Sequence, residues 1–202
     1  MNAIAVAATS YCMGSIPFSY IWAKVFGGID IRQVGSRNVG TTNVLLSTGF
    51  LPGLLSGIGD VGKGVAAVLF AQAVAPESTV MHFVAALAAI VGHNWPIWLG
   101  FHGGGGLATS MGALLVLSTG SLVYIGVFWA AMYGITRHKY LSSVASCSAV
   151  GVFLGLLEHS WDYFFFGLGM GFLLGVKQVI AWLKYGVKRE VAVSRSMHPG
   201  KS

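Results

Sequence analysis

Residues 53–75 read GLLSGIGDVGKGVAAVLFAQAVA. As a helix rising ~1.5 Å per residue, this run is long enough to cross the ~30 Å hydrocarbon core of a bilayer. It carries two charges, Asp60 and Lys63, three positions apart and therefore on one helix face. Charges at such depth are costly unless they are paired or face a cavity. The spacing fits a structural ion pair and leaves a direct catalytic role open.

Six further apolar runs accompany it: residue 3 to about residue 23, then 80–98, 106–118, 121–136, 142–157 and 161–184. The 106–118 run is short for a span and reads as tilted or re-entrant. The 202 residues are 55% hydrophobic and 9% charged, with a mean hydropathy of +0.74. A soluble domain carries about 25% charged residues. The composition therefore predicts an all-α polytopic membrane helix bundle of about seven transmembrane helices. Residues 1–184 form one membrane-embedded domain, and 185–202 a flexible basic cytoplasmic tail. Cys12 and Cys147 lie inside apolar runs, with no CxxC pair and no disulfide framework.

Charge placement sets the orientation. With the N-terminus outside, the external connections hold Glu77, Glu158 and Asp162 and no lysine or arginine. The inner side receives Lys24, Arg32, Arg37, Arg137, Lys139 and the basic tail. This is the asymmetry expected of cytoplasmic loops. Trp22, Trp95, Trp98, Trp161 and Trp182 fall near span ends, as interfacial aromatics do. The net charge of +6 follows from the same rule and from attraction to anionic lipid. No basic surface interleaved with aromatics supports nucleic-acid binding.

Three polar segments then share the cytoplasmic side. Residues 28–43, GIDIRQVGSRNVGTTN, bracket Ser36, Arg37 and Asn38 with glycines and end in Thr41, Thr42 and Asn43. Hydroxyls, amides and free N–H groups at a helix start suit phosphate oxygens. An ordinary loop capped by Ser36 or Thr42 is the alternative. Residues 92–110, GHNWPIWLGFHGGGGLATS, place Gly103, Gly104, Gly105 and Gly106 ahead of a helix, flanked by His93 and His102. Successive backbone N–H groups there make an anion nest, and either histidine can act near neutral pH. The run lacks the Lys-Ser/Thr of a P-loop. Residues 137–146, RHKYLSSVAS, read as an orientation anchor followed by Ser143 and Ser146 at a helix start.

From residue 14 to about 146 the sequence resembles the bacterial acyl-phosphate:glycerol-3-phosphate acyltransferases, the PlsY family. The shared stretches are GSIPF (14–18), DIRQVGSRNVGTTNV (30–44), DVGKG (60–64), GHNWP (92–96) and GGGGLAT (103–109). The resemblance implies a seven-helix enzyme of phospholipid synthesis in the bacterial cell membrane, multi-pass, with its active site facing the cytoplasm. It implies acyl transfer from acyl phosphate to the sn-1 hydroxyl of glycerol 3-phosphate, giving lysophosphatidic acid and phosphate. No cofactor, no metal and no obligatory protein partner is implied. Carried over by position, Ser36, His93 and Ser143 are the catalytic candidates. Arg37, Asn38, Thr42, Asn43, Asn94, His102, the four glycines 103–106 and Thr109 are the substrate-binding ones.

The chain also departs from the family pattern. Gly105 stands where the family's loop carries a phosphate-binding lysine, and Leu46 where an arginine is common. Residues 175–182, GVKQVIAW, lack the usual histidine and asparagine. Arg37 and His102 are candidates to compensate. These departures keep a second reading open, a non-catalytic paralogue that binds a phosphorylated lipid precursor.

Overall fold

The structure, a computed structural model, describes residues 2–183. Its regular elements are helical: α1 (Ala3–Ser15), α2 (Phe18–Gly27), α3 (Thr41–Thr48), α4 (Phe50–Val74), α5 (Thr79–Asn94), a 3-10 turn (Ile97–Leu99), α6 (Leu107–Leu117), α7 (Thr119–Thr136), α8 (Lys139–Leu157) and α9 (Trp161–Ala181). Six stretches among the described residues are long and apolar enough to cross a membrane, counting α1 and α2 as one. The expected basic tail at 185–202 and the last residue of the 161–184 run lie outside the described residues.

The first apolar run is two helices rather than one. Pro17 has no N–H to donate and disfavours helical backbone at the residue before it. Ile16 accordingly sits at φ −59°, ψ 116°, and α2 restarts at Phe18. The run at 106–118 is the short helix it was expected to be. Eleven residues of α6 extend about 16 Å, half of a bilayer core. Its last turn still reaches the end of the bundle where α8 stops, because Ser118 Oγ hydrogen-bonds the Glu158 carboxylate. The polar segment 28–43 leads into α3, with Gly40 at the N-cap in place of Ser36 or Thr42.

Helix pairs close through reciprocal glycines. A Cβ on Gly14 would strike the Ala89 carbonyl of α5, and one on Gly92 the Tyr11 carbonyl of α1. The same exchange joins α4 to α6 through Gly64 and Gly112, and α8 to α9 through Gly151 and Gly171. Without water to drive apolar burial, close backbone approach of this kind is what packs helices in lipid. The core among α5, α6, α8 and α9 centres on Phe83, stacked 4.3 Å from Phe166 and edge-on to Tyr163. Large apolar side chains such as Ile58, Ile135 and Phe172 point outward, as a lipid-facing surface requires.

Gly92→Leu tests the interlock. It forces α1 off α5 at the level of His93 and is expected to lose at least the ~1–3 kcal/mol of an overpacked core. Thermal unfolding in detergent reads this, and an unchanged midpoint would contradict the interlock.

Candidate active site

The segment between α2 and α3 is held by one amide. Asn43, buried at the start of α3, directs Nδ2 at the carbonyl oxygens of Ile31, Val34 and Asn38, 3.0–3.2 Å away. Its Oδ1 accepts from the Ser36 backbone N–H at 3.1 Å. The loop so drawn together turns left-handed at Gly35 (φ +59°) and Arg37 (φ +57°). Glycine adopts that conformation freely and an arginine does so under strain. At the base of the loop Arg32 Nη2 lies 2.7 Å from Asp30 Oδ2, with its guanidinium 5.2 Å over the Tyr20 ring. Hydrogen bonding from Arg32 holds the Asp30 carboxyl below the usual carboxylate range.

The second segment folds back over the end of α5. The Gly104 N–H donates to the His93 carbonyl at 3.1 Å. A Cβ on Gly104 would collide with His93 Nε2 and with the Val39 carbonyl, and one on Gly103 with the His93 carbonyl. Only glycine lets this loop lie directly on the imidazole while touching the first loop. Gly106, at φ +84°, turns the chain into α6. Beneath it Asn94 is fully buried, and neither end of its amide has a hydrogen-bond partner among the described residues. Thr109 Oγ1, in the first turn of α6, is likewise buried and unpartnered. Buried polar groups are nearly always satisfied, so such orphans mark a place for a ligand or water.

Under the glycine loop lies a buried cluster of charge. Asp60 Oδ1 is 2.9 Å from Lys63 Nζ and 3.4 Å from His93 Nδ1, and Ser19 Oγ donates to Asp60 Oδ2 at 3.0 Å. Lys63 Nζ also donates to the Ile16 carbonyl at 2.9 Å. All of Ser19, Asp60, Lys63 and His93 are buried. A narrow cleft reaches this cluster between Ser15, Pro17, Val39 and Gly103. One ring nitrogen of His93 therefore faces a carboxylate and the other faces the glycine loop. An imidazole so oriented can take a proton at Nε2 while Asp60 stabilises the imidazolium formed. No three His, Cys, Asp or Glu side chains gather as a metal site needs among the described residues.

The sequence model of the family described as Glycerol-3-phosphate acyltransferase matches residues 4–186. The chain belongs to this family. The acyltransferase is 43% identical over 158 residues to "Glycerol-3-phosphate acyltransferase 2" of Moorella thermoacetica, covering 78% of this chain and 80% of that one. It is 40% identical over 176 residues to "Glycerol-3-phosphate acyltransferase" of Ruegeria pomeroyi, covering 87% and 81%. Its fold is similar to the crystal structure of PlsY (YgiH), described as an integral membrane glycerol 3-phosphate acyltransferase, in the glycerol 3-phosphate form. The TM-score is 0.79 at 29% identity, covering 91% of this chain and 92% of the other. The lysophosphatidic acid form of the same protein gives 0.78.

In the acyltransferase, the residues singled out in the sequence fall into three groups. His93, Asn94, Gly103, Gly104, Gly106 and Thr109 converge around the orphaned polar atoms and the imidazole. Gly105 belongs to the same loop and faces α9, where Gln178 Nε2 comes within 3.3 Å of the place its Cβ would occupy. A second group lies on the surface of the two loops: Ser36, Arg37, Thr42 and His102 are exposed and Asn38 is half-buried. His102 Nδ1 is paired with the Gly100 carbonyl at 2.6 Å, and the Asn43 amide is taken up within its own loop. Ser143 lies on α8, where Trp129 Nε1 of α7 donates to its hydroxyl at 3.1 Å. Its neighbour Ser142 is buried against Thr136 and the His138 carbonyl. Sequence reasoning did not find Ser19, nor the link from Asp60 to His93. The one signal for Asp60 was a carboxylate inside an apolar run, which says that a partner exists and not which one.

Proposed function

We propose that the site transfers a fatty acyl group from acyl phosphate to the sn-1 hydroxyl of glycerol 3-phosphate. The products are lysophosphatidic acid and inorganic phosphate. The acceptor hydroxyl oxygen attacks the acyl carbonyl carbon and gives its proton to His93 Nε2. The bond from the acyl carbon to the phosphate oxygen breaks, and phosphate leaves. Asp60 holds the ring by Nδ1, and Lys63 balances the buried carboxylate. Asn94, Thr109 and the N–H groups of Gly103, Gly105 and Gly106 hold phosphoryl oxygens at the start of α6, while the Gly104 N–H stays bonded to the His93 carbonyl. Ser36, Arg37, Asn38 and Thr42 guide the acceptor at the rim, and Asn43 shapes their loop.

The observation that carries this reading is the placement of His93 Nε2 against the glycine loop, beside the unpartnered Asn94 amide. Acyl phosphate is already activated, so alignment and charge stabilisation supply most of what the reaction needs. An open apolar groove between α8 and α9, bordered by Gly171, Gly175 and Val179, suits the acyl chain and reaches the residue next to Gln178. The basic residues Lys24, Arg32 and Arg37 lie at the site's end of the bundle, and Glu77, Glu158 and Asp162 at the other. That distribution supports an active site facing the cytoplasm.

Purified protein in lipid vesicles, given palmitoyl phosphate and radiolabelled glycerol 3-phosphate, is expected to form labelled lysophosphatidic acid and phosphate in equal amounts. Binding of glycerol 3-phosphate without product would instead establish the non-catalytic reading, which the glycine at 105 and the 81% exposed Leu46 favour.

A further inference from the structure

The fourth glycine of the loop leaves a gap that α9 fills. Gly105 is flanked by Gln178 Nε2 and nothing else close, in contrast to the glycines around it. One position before Gln178, the half-buried Lys177 sets its ammonium 4.8 Å over the ring of Trp95, the residue that ends α5. No carboxylate pairs with Lys177 among the described residues. A cation withdrawn from water without a counter-anion is a standing cost in the fold. Across the loop from it lie the orphaned Asn94 amide and Thr109 hydroxyl, which are fully buried and also lack partners. A donor pair, an unmatched cation and an open helix N-terminus together describe a receptor for a phosphate monoester.

We infer that Lys177 and Gln178 of α9 form the cationic wall of the phosphate site, with Trp95 as the platform that aims the ammonium at the glycine loop. This rests on the acyltransferase reading for the identity of the phosphate. Lys177 neutralises charge that the glycine loop, having no cation of its own, leaves unmatched. Gln178 offers its amide N–H groups across Gly105. Because α9 also lines the groove for the acyl chain, the same helix holds the tail on one face and the phosphate on another.

Lys177→Met keeps the stem over Trp95 and removes the charge. With turnover measured as above, it is expected to raise the KM of one substrate by ~10- to 100-fold, the worth of a charge-assisted hydrogen bond. A rise for glycerol 3-phosphate assigns the acceptor phosphate to Lys177, and a rise for palmitoyl phosphate the donor's. Lys177→Arg should recover part of the loss. Gly105→Lys in the Met background should recover more, since position 105 has room for a side chain. Unchanged KM values for both substrates in a folded Lys177→Met protein would overturn the inference and leave the reaction standing. If the wild type proves inactive, the proposed reaction falls, and inorganic phosphate still decides the site. Protection of the wild type from thermal unfolding by phosphate, lost in Lys177→Met, supports it; equal protection, or none in either, rejects it.

Discussion

His93→Ala is expected to lower kcat by ~10²- to 10⁴-fold, the range for a removed general base. The imidazole is buried with Nδ1 3.4 Å from Asp60 and Nε2 against the Gly104 backbone, so no other described side chain can take its place there. The Asp60–Lys63 pair survives the substitution with its charge balanced, which keeps the effect on the chemistry separate from the effect on folding. Two readouts set a base apart from a structural histidine. The pH–rate profile of the wild type should rise along a limb that the variant lacks. The KM for both substrates should change far less than kcat, because proton transfer matters in the transition state and little in binding. A folded His93→Ala protein that kept more than about a tenth of wild-type turnover, against the range above, would remove His93 from the mechanism.

Asp60→Asn is expected to cost the fold ~3–5 kcal/mol, the penalty for stranding a buried charge. Lys63 is buried, and besides Asp60 it has only the Ile16 carbonyl as a neutral acceptor among the described residues. The loss should show as a lower unfolding midpoint in detergent. The paired substitution Asp60→Leu with Lys63→Met removes both charges and is expected to recover most of that stability, since a buried ion pair is often no better than an apolar one. Activity should not return with it, because His93 then has no carboxylate to orient it. Full activity in the double variant would show that the pair serves packing alone. A single Asp60→Asn protein as stable as the wild type would show that Lys63 finds water.

How much of this was legible in the sequence depends on the range of each signal. The spans were readable because bilayer thickness imposes a length on apolar runs, and the matched boundaries of α4, α7 and α9 follow from that. The break at Pro17 hid inside a run whose hydropathy is continuous. The three polar segments were identified by composition, and two of them do meet, at Val39 and Gly104. In the third, Ser143 accepts a hydrogen bond from Trp129 of α7, a pairing that depends on how α8 packs against α7 and not on its own residues. Arg37 read as a candidate to compensate for the lysine missing at position 105. The left-handed φ of +57° at that position is a conformation that glycine adopts more freely than arginine. The contact between Asp60 and His93 crosses from α4 to α5, and no spacing within one helix announces a contact between two. Lys177 carried no signal of its own within the last span, and its position over Trp95 is what ties it to the loop 72 residues earlier.

Pro17 has a further consequence. In an unbroken helix the Ile16 carbonyl would accept from the Tyr20 N–H. Here Tyr20 bonds to Pro17 instead, and the oxygen of Ile16 accepts from the Phe18 N–H and, on its other lone pair, from Lys63. The kink thus solvates an ion where bulk water is absent, a peptide dipole standing in for part of a hydration shell. Straightening that helix would dry out the ammonium, so a feature that looks like an irregularity of the backbone is one of the reasons a lysine can live at this depth.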